Sequence, residues 1–275
     1  MKGSMRAAEW INLSAFCFLA IVGWRRHLPR PRRAKANAIA AVGIAAIGLA
    51  VFAGPRVLPP LAASVVRDWL PYVLMLMVYW QAGQFFTRVD TGIQEKLVQL
   101  DGRMVTPLLA RLARDRAGRS ILTGLEIAYL FCYPVMPMSL AALYLMRMGH
   151  EADYLWKIVL VSSYLCYCML PFIQTHPPRK LAWANPVPLP KTKMRALNLW
   201  VLGHASIHAN TFPSAHVASS TACALVLLRL APGVGLAFLA LAISIALGAV
   251  AGRYHYAADV ALGALVALVV FWAGM

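Results

Sequence analysis

Acidic residues are scarce in this chain. Its 275 residues include 10 Asp and Glu against 26 Lys and Arg, a formal net charge of +16. No cluster of carboxylates or cysteines has metal-ligand spacing, so no metal and no cofactor are expected. Charge of either sign is sparse at 13% of residues, which leaves too little polar surface to cover a water-soluble fold of this length. Cysteine is limited to Cys17, Cys132, Cys166, Cys168 and Cys223, each inside an apolar run, and this excludes a disulfide framework. The basic loops lack interleaved aromatics, so a nucleic-acid groove is excluded despite the charge. Internal repeats and low-complexity segments are also absent.

Apolar runs are what the chain has in quantity, with 61% of residues hydrophobic. Eight approach bilayer-spanning length: Ala7–Trp24, Ala38–Ala53, Leu70–Phe86, Ile121–Met146, Leu155–Ile173, Ser214–Leu230, Val234–Ala251 and Ala257–Trp272. The fold class expected is therefore all-α, a polytopic membrane protein with about eight transmembrane helices. The shorter runs require tilting or extension by flanking residues. The first run ends at Trp24-Arg25-Arg26 without a small-residue cleavage pattern, and reads as a retained helix.

Residues 1–60 form an N-terminal transmembrane hairpin around the basic loop Arg25–Lys35, closed off by Pro59-Pro60. Residues 61–275 form a six-helix core. Within it, segment 88–119 is too polar to span, but Ile93, Leu97, Leu100 and Met104 recur at helical spacing. That pattern predicts a helix lying in the interface and broken near Pro107. Met194–His208 predicts a second interfacial helix. Sorting the loops by side puts 19 of the 26 basic residues on one face and seven, Lys2 among them, on the other. By the positive-inside rule, the basic face is cytoplasmic in a cell (inner) membrane, where it also attracts anionic membrane lipids.

Two motifs lie on that basic face. In Asn210-Thr-Phe-Pro-Ser214, Asn210 or Thr211 is placed to cap a helix with Pro213 in its first turn. Ser214 and His216 then sit at a helix N-terminus, a ready anion site. In Arg253-Tyr-His-Tyr-Ala-Ala-Asp259, His255 follows a helix end at Gly252, and Asp259 lies four residues on, within helical reach of the imidazole. A histidine oriented by a carboxylate is a competent nucleophile or base. Each group has a plainer role as well. A lone interfacial histidine is a polar tip, Arg253 a lipid anchor and Asp259 a helix cap. His204 and His208 stand at i,i+4, a spacing for a metal, for packing or for headgroup contact. Glu126, inside an apolar run, either meets a substrate headgroup or pairs with a basic loop residue.

At these residues the chain resembles the superfamily of type 2 phosphatidic acid phosphatases and vanadium haloperoxidases, whose members carry Pro-Ser-x-His and a later His-x-x-x-Asp. Pro177-Pro178-Arg179 is similar to the upstream motif of the branch containing inositol-phosphorylceramide and sphingomyelin synthases. The resemblance covers roughly Leu70–Trp272. It implies that His255 is a nucleophile forming a phosphohistidine, aligned by Asp259. His216 would be the acid for the leaving oxygen and then the base for the acceptor. Arg179 and Ser214 would hold phosphoryl oxygens. In two places the chain departs from the common phosphatase pattern. Ala249 stands where an arginine precedes the second histidine by six residues, with Arg253 as its potential replacement. Phe172 stands where a lysine precedes the upstream arginine by seven, with Lys180 as its potential substitute.

The expected function is a membrane lipid-phosphate phosphatase. The alternative is a lipid phosphotransferase that passes a phosphoryl-headgroup unit to an alcohol. The substrate partner is a lipid phosphate in either case. The enzymes of this resemblance usually act on the outer or lumenal face, opposite to the face the charge bias assigns.

Overall fold

The computed structural model describes residues 4–184 and 186–274, so Lys2 lies outside the described residues. They are built from helices, with no β-strand among them. The hairpin is α1 (Ala7–Arg25) and α2 (Arg30–Gly48), the latter extended through a π turn into the short α3 (Gly54–Val57). Next come α4 (Pro60–Gly83), α5 (Thr91–Leu112), α6 (Arg116–Leu130), α7 (Val135–Leu145), α8 (Ala152–Tyr167) and α9 (Lys193–Ala205). The last three are α10 (Ala215–Leu230), α11 (Pro232–Ala251) and α12 (Ala257–Ala273).

Each of the eight apolar runs contains helix, yet among the described residues only four spans are long and apolar enough to cross a membrane, or five if a bent pair counts as one. The four are α1, α2 with its extension, α4 and α11. α10 and α12 are apolar but only 16 and 17 residues long, about 24–26 Å at helical rise. α10 compensates by position. Val217, Ala218, Ala222, Cys223 and Ala224 are fully buried, and these small residues let α8, α11 and α12 approach its backbone closely.

Three expectations need correction. Ile121–Met146 is not one helix but α6 and α7, bent by 68° at Phe131–Pro134. Pro134 cannot donate to the preceding turn and disfavours helix at Tyr133. The run from Leu155 leaves the helix after Tyr167 and continues as turns. Conversely, α5 continues through Pro107. That proline is exposed, so polar surroundings can satisfy the carbonyl it strands.

Two rims follow from the packing. On the far rim Arg6 pairs with Asp68 at 2.5 Å and Arg67 with Glu9 at 2.6 Å. The Tyr144 hydroxyl also donates to Asp68 there. Asp153 receives the Ala7 and Ala8 amides at 3.1 and 2.9 Å. These contacts join the starts of α1, α4 and α8 to the end of α7. On the basic rim Arg32 Nη1 donates to the Gln84 and Phe86 carbonyls at 3.3 and 2.5 Å, which ties the hairpin to the core.

Candidate active site

Both motifs start helices on the basic rim, and the backbone joins them. Ser214, the N-cap of α10, donates its amide to the Asp259 carbonyl at 3.0 Å in the first turn of α12. The two helices can approach this closely because position 263 is glycine. A Cβ on Gly263 would stand 2.4 Å from the Ser214 carbonyl oxygen. Asn210 does not cap α10. Ser214 takes that position, with the Thr211 hydroxyl accepting from the Ala215 amide at 3.4 Å.

His255 is mounted on the end of α11. Arg253 adopts φ 61°, turning the chain back so that the amides of Tyr254 and His255 both donate to the Ala249 carbonyl, at 2.9 and 3.0 Å. The Ala249 side chain is fully buried in the core. Asp259 Oδ2 then gathers three donors: Asn210 Nδ2 at 2.7 Å, the Tyr256 amide at 3.1 Å and His255 Nδ1 at 3.3 Å. With Nδ1–H directed at the carboxylate, the Nε2 lone pair of His255 is the one left for chemistry. Burial, and then the nearby Arg179 charge, push the His255 imidazolium down to about 3, so this ring is neutral at physiological pH.

His216, the second residue of α10, faces His255 with ring centroids 5.8 Å apart at 73°. Tyr129 and Tyr133 flank it edge-on at 6.0 and 5.7 Å. The Ser214 hydroxyl is buried beside the pair without a hydrogen-bond partner among the described residues. Arg179 is drawn in by its own amide, which donates to the Arg253 carbonyl at 2.9 Å, and its Nη1 lies 3.5 Å from the Tyr254 carbonyl. Lys180 is exposed and donates Nζ to the His208 carbonyl at 3.3 Å. Partial burial and the Arg179 charge lower its pKa. The Arg253 guanidinium turns elsewhere, with Nη2 donating to the Val187 carbonyl at 2.6 Å.

Glu126 takes its second option. Its carboxylate accepts from Arg195 Nη1 at 2.6 Å, Asn198 Nδ2 at 2.7 Å and the Tyr254 hydroxyl at 2.5 Å, which leaves it buried and fully engaged. This hub ties α9 and α6 to the residue before His255. His204 and His208 do not share a helical face, because α9 ends at Ala205. His204 is exposed, with Nδ1 2.8 Å from the Trp200 carbonyl, and His208 is exposed at φ 60°. No group of three His, Cys, Asp or Glu among the described residues could hold a metal ion.

Sequence reasoning missed Arg195 as the partner of Glu126, the service of Asn210 to Asp259, and the tyrosine walls around His216. An apolar cavity of about 200 Å³ reaches His216 between α4, α7 and α9, lined by Tyr72, Met75, Met136 and Leu202 among others.

No curated protein and no solved structure matches the chain. A family model described as the PAP2 superfamily does match, over residues 95–273. The match runs from within α5 to the end of α12 and takes in both histidine motifs. With well over half of its length fitting that pattern on an all-helical membrane fold, the chain belongs to the PAP2 superfamily.

Proposed function

We propose that the protein is a membrane lipid-phosphate phosphatase working through a phosphohistidine. The observation that carries the reading is the facing pair His216 and His255, 5.8 Å apart at adjoining helix mouths, with an apolar cavity reaching His216. A phosphate at the helix mouths leaves its hydrocarbon chain in the cavity and the surrounding lipid. A soluble sugar phosphate gains nothing from that placement.

In the first step His255 Nε2 attacks phosphorus. The N–P bond forms as the bond to the lipid oxygen breaks, and His216 gives its proton to that oxygen. In the second step His216 takes a proton from water, whose oxygen attacks phosphorus and displaces His255. The products are the lipid alcohol and inorganic phosphate. Asp259 holds the Nδ1–H and stabilises the charge that the nucleophile develops. Arg179 and the unpartnered Ser214 hydroxyl bind the phosphoryl oxygens, together with the free amides at the start of α10. Positioning and charge stabilisation of this kind are what phosphoryl transfer needs most. The commitment of Arg253 to Val187 supports Arg179 as the guanidinium ligand.

The fully buried Ala249 and the Pro177-Pro178-Arg179 form favour a second reading, transfer of a phosphoryl-headgroup unit to an alcohol as in inositol-phosphorylceramide or sphingomyelin synthases. Purified protein in detergent, supplied with a panel of lipid phosphates and no alcohol, separates the two. Hydrolysis releases phosphate at once, and His255→Ala abolishes both release and the trapped phosphoenzyme. His216→Ala cripples turnover yet still permits phosphorylation by a substrate with a good leaving group. Phosphate at background until inositol or choline is added, with a new phosphodiester then formed, rejects the phosphatase. Full activity in His255→Ala rejects the nucleophile.

A further inference from the structure

The N-terminal hairpin lies outside the stretch that fits the superfamily pattern, and none of its residues joins the histidine pair. Where its tip meets the core there is a cavity of about 530 Å³, within the range that holds small molecules and headgroups. Its walls come from three segments: Arg26 to Pro29 at the tip, Phe85 to Thr91 after α4, and Pro171 to Gln174 after α8. They are fastened to one another. Besides the Arg32 bonds to Gln84 and Phe86, the Thr87 and Arg88 amides both donate to Gln174 Oε1, at 2.8 and 3.0 Å. The Arg26 guanidinium lies 4.7 Å from the Phe172 ring centroid.

The ionisable groups on these walls are Arg26, His27, Arg88 and Asp90. Asp90 is occupied as the N-cap of α5, accepting the Ile93 amide at 3.0 Å. Among the described residues neither Arg26 nor Arg88 has a carboxylate within ion-pair distance. The lining mixes polar and apolar groups, with Leu28 and Phe85 buried beneath it and Pro29 and Phe172 exposing apolar surface at its edge. His27 sits at φ 49°, a left-handed backbone that a non-glycine residue adopts only when its surroundings impose it. Two guanidiniums without a carboxylate partner, beside an apolar edge at the basic rim, match a phosphodiester whose chains run on into hydrocarbon.

We propose that this seam is a second lipid site, distinct from the histidine pair, which docks the headgroup of an anionic phospholipid through Arg26 and Arg88. The lipid is held there and not turned over, since Asp90 is engaged as the cap of α5 and, among the described residues, His27 has no carboxylate within ion-pair distance to orient it. A free phosphate ion satisfies only part of the chemistry, because it leaves the apolar edge at Pro29 and Phe172 uncovered.

Native mass spectrometry of the full chain in detergent, titrated with phosphatidylglycerol, phosphatidylcholine or inorganic phosphate, tests this. Phosphatidylglycerol binds in preference to phosphatidylcholine, and inorganic phosphate does not displace it. Arg26→Gln with Arg88→Gln weakens that binding by about tenfold or more, the scale of lost charge-assisted hydrogen bonds. Arg103→Gln with Arg111→Gln removes the same charge from α5, and Arg179→Gln removes the guanidinium beside the histidines. Both leave the affinity within about twofold, as independent sites do. Thermal unfolding of each variant confirms that it is folded. The proposal is overturned if the two double variants lose affinity equally, if Arg179→Gln alone abolishes binding, if phosphatidylcholine binds as well, or if inorganic phosphate competes.

Discussion

Replacing Glu126 by Ala tests the hub behind His255. The substitution strands three groups at once: the Arg195 guanidinium, the Asn198 amide and the Tyr254 hydroxyl. Removing one member of a buried ion pair costs about 3–5 kcal/mol. The Arg195 side chain is 17% exposed and keeps the Gly252 carbonyl at 3.2 Å, so the low end, about 3 kcal/mol, is expected. At roughly 2–4 °C per kcal/mol for a chain of this size, Tm falls by about 6–12 °C. Glu126→Leu combined with Arg195→Met removes both charges and recovers at least half of that loss, because no buried charge is then left unpaired. Tryptophan fluorescence melts in detergent measure both. Activity of the single variant falls well below its Tm, since Tyr254 carries the stacked ring of Tyr129 at 4.1 Å and directly precedes His255. A single variant melting within about 2 °C of the parent, or a double variant no better than the single, refutes the hub.

Gly263→Ala drives a methyl into the Ser214 carbonyl, and overpacking of this kind costs about 1–3 kcal/mol; circular dichroism should report retained helix while phosphate release collapses. Burial raises the Asp101 carboxyl to about 6, countered by the Ala257 amide that donates to it at 3.1 Å and assisted by the Asp259 charge. The folded form therefore holds this proton more tightly than the unfolded chain, whose value is 3.8, and stability declines as pH rises from 3.8 toward 6 before levelling. Asp101→Asn keeps the acceptor oxygen and removes that decline, so it melts above the parent at neutral pH and level with it below 3.8; the reverse order would reject the assignment. Turnover is expected to survive chelators and to be inhibited by vanadate, which mimics the pentacoordinate phosphoryl group; loss on chelation that Mg²⁺ or Zn²⁺ restores contradicts this. A site on the cytoplasmic face, as the charge bias predicts, requires that an impermeant thiol reagent applied to intact cells label a cysteine at exposed His150 and spare one at exposed Ala34.

Much of the helical plan was legible because each run repeats one property many times over. The His255–Asp259 pairing was legible for the opposite reason, since the four-residue step across the start of α12 fixes it locally. What escaped reading depended on partners distant in sequence. Arg195 and Glu126 are 69 residues apart, and nothing near either one names the other. Asn210 carries a capping side chain, and its use on Asp259, 49 residues later, appears only once α10 and α12 lie side by side. Prolines misled in both directions. Pro134 was hidden within a hydrophobic run and breaks it, whereas Pro107 stands in a polar segment whose surroundings tolerate the missing donor.

The bond from the Ser214 amide to the Asp259 carbonyl closes residues 210–263 into a unit that contains both histidines, the carboxylate and its amide partner. The walls of the apolar cavity come mostly from elsewhere, in particular α4, α7 and α9. On the proposed reading, the histidines that make and break bonds and the walls that meet the hydrocarbon chain thus lie largely in separate stretches of the polypeptide. On that reading, changes in α4, α7 and α9 alter which lipid is accepted while the chemistry stays as it is. A graft of those three helices between relatives would be expected to transfer substrate preference without transferring the reaction.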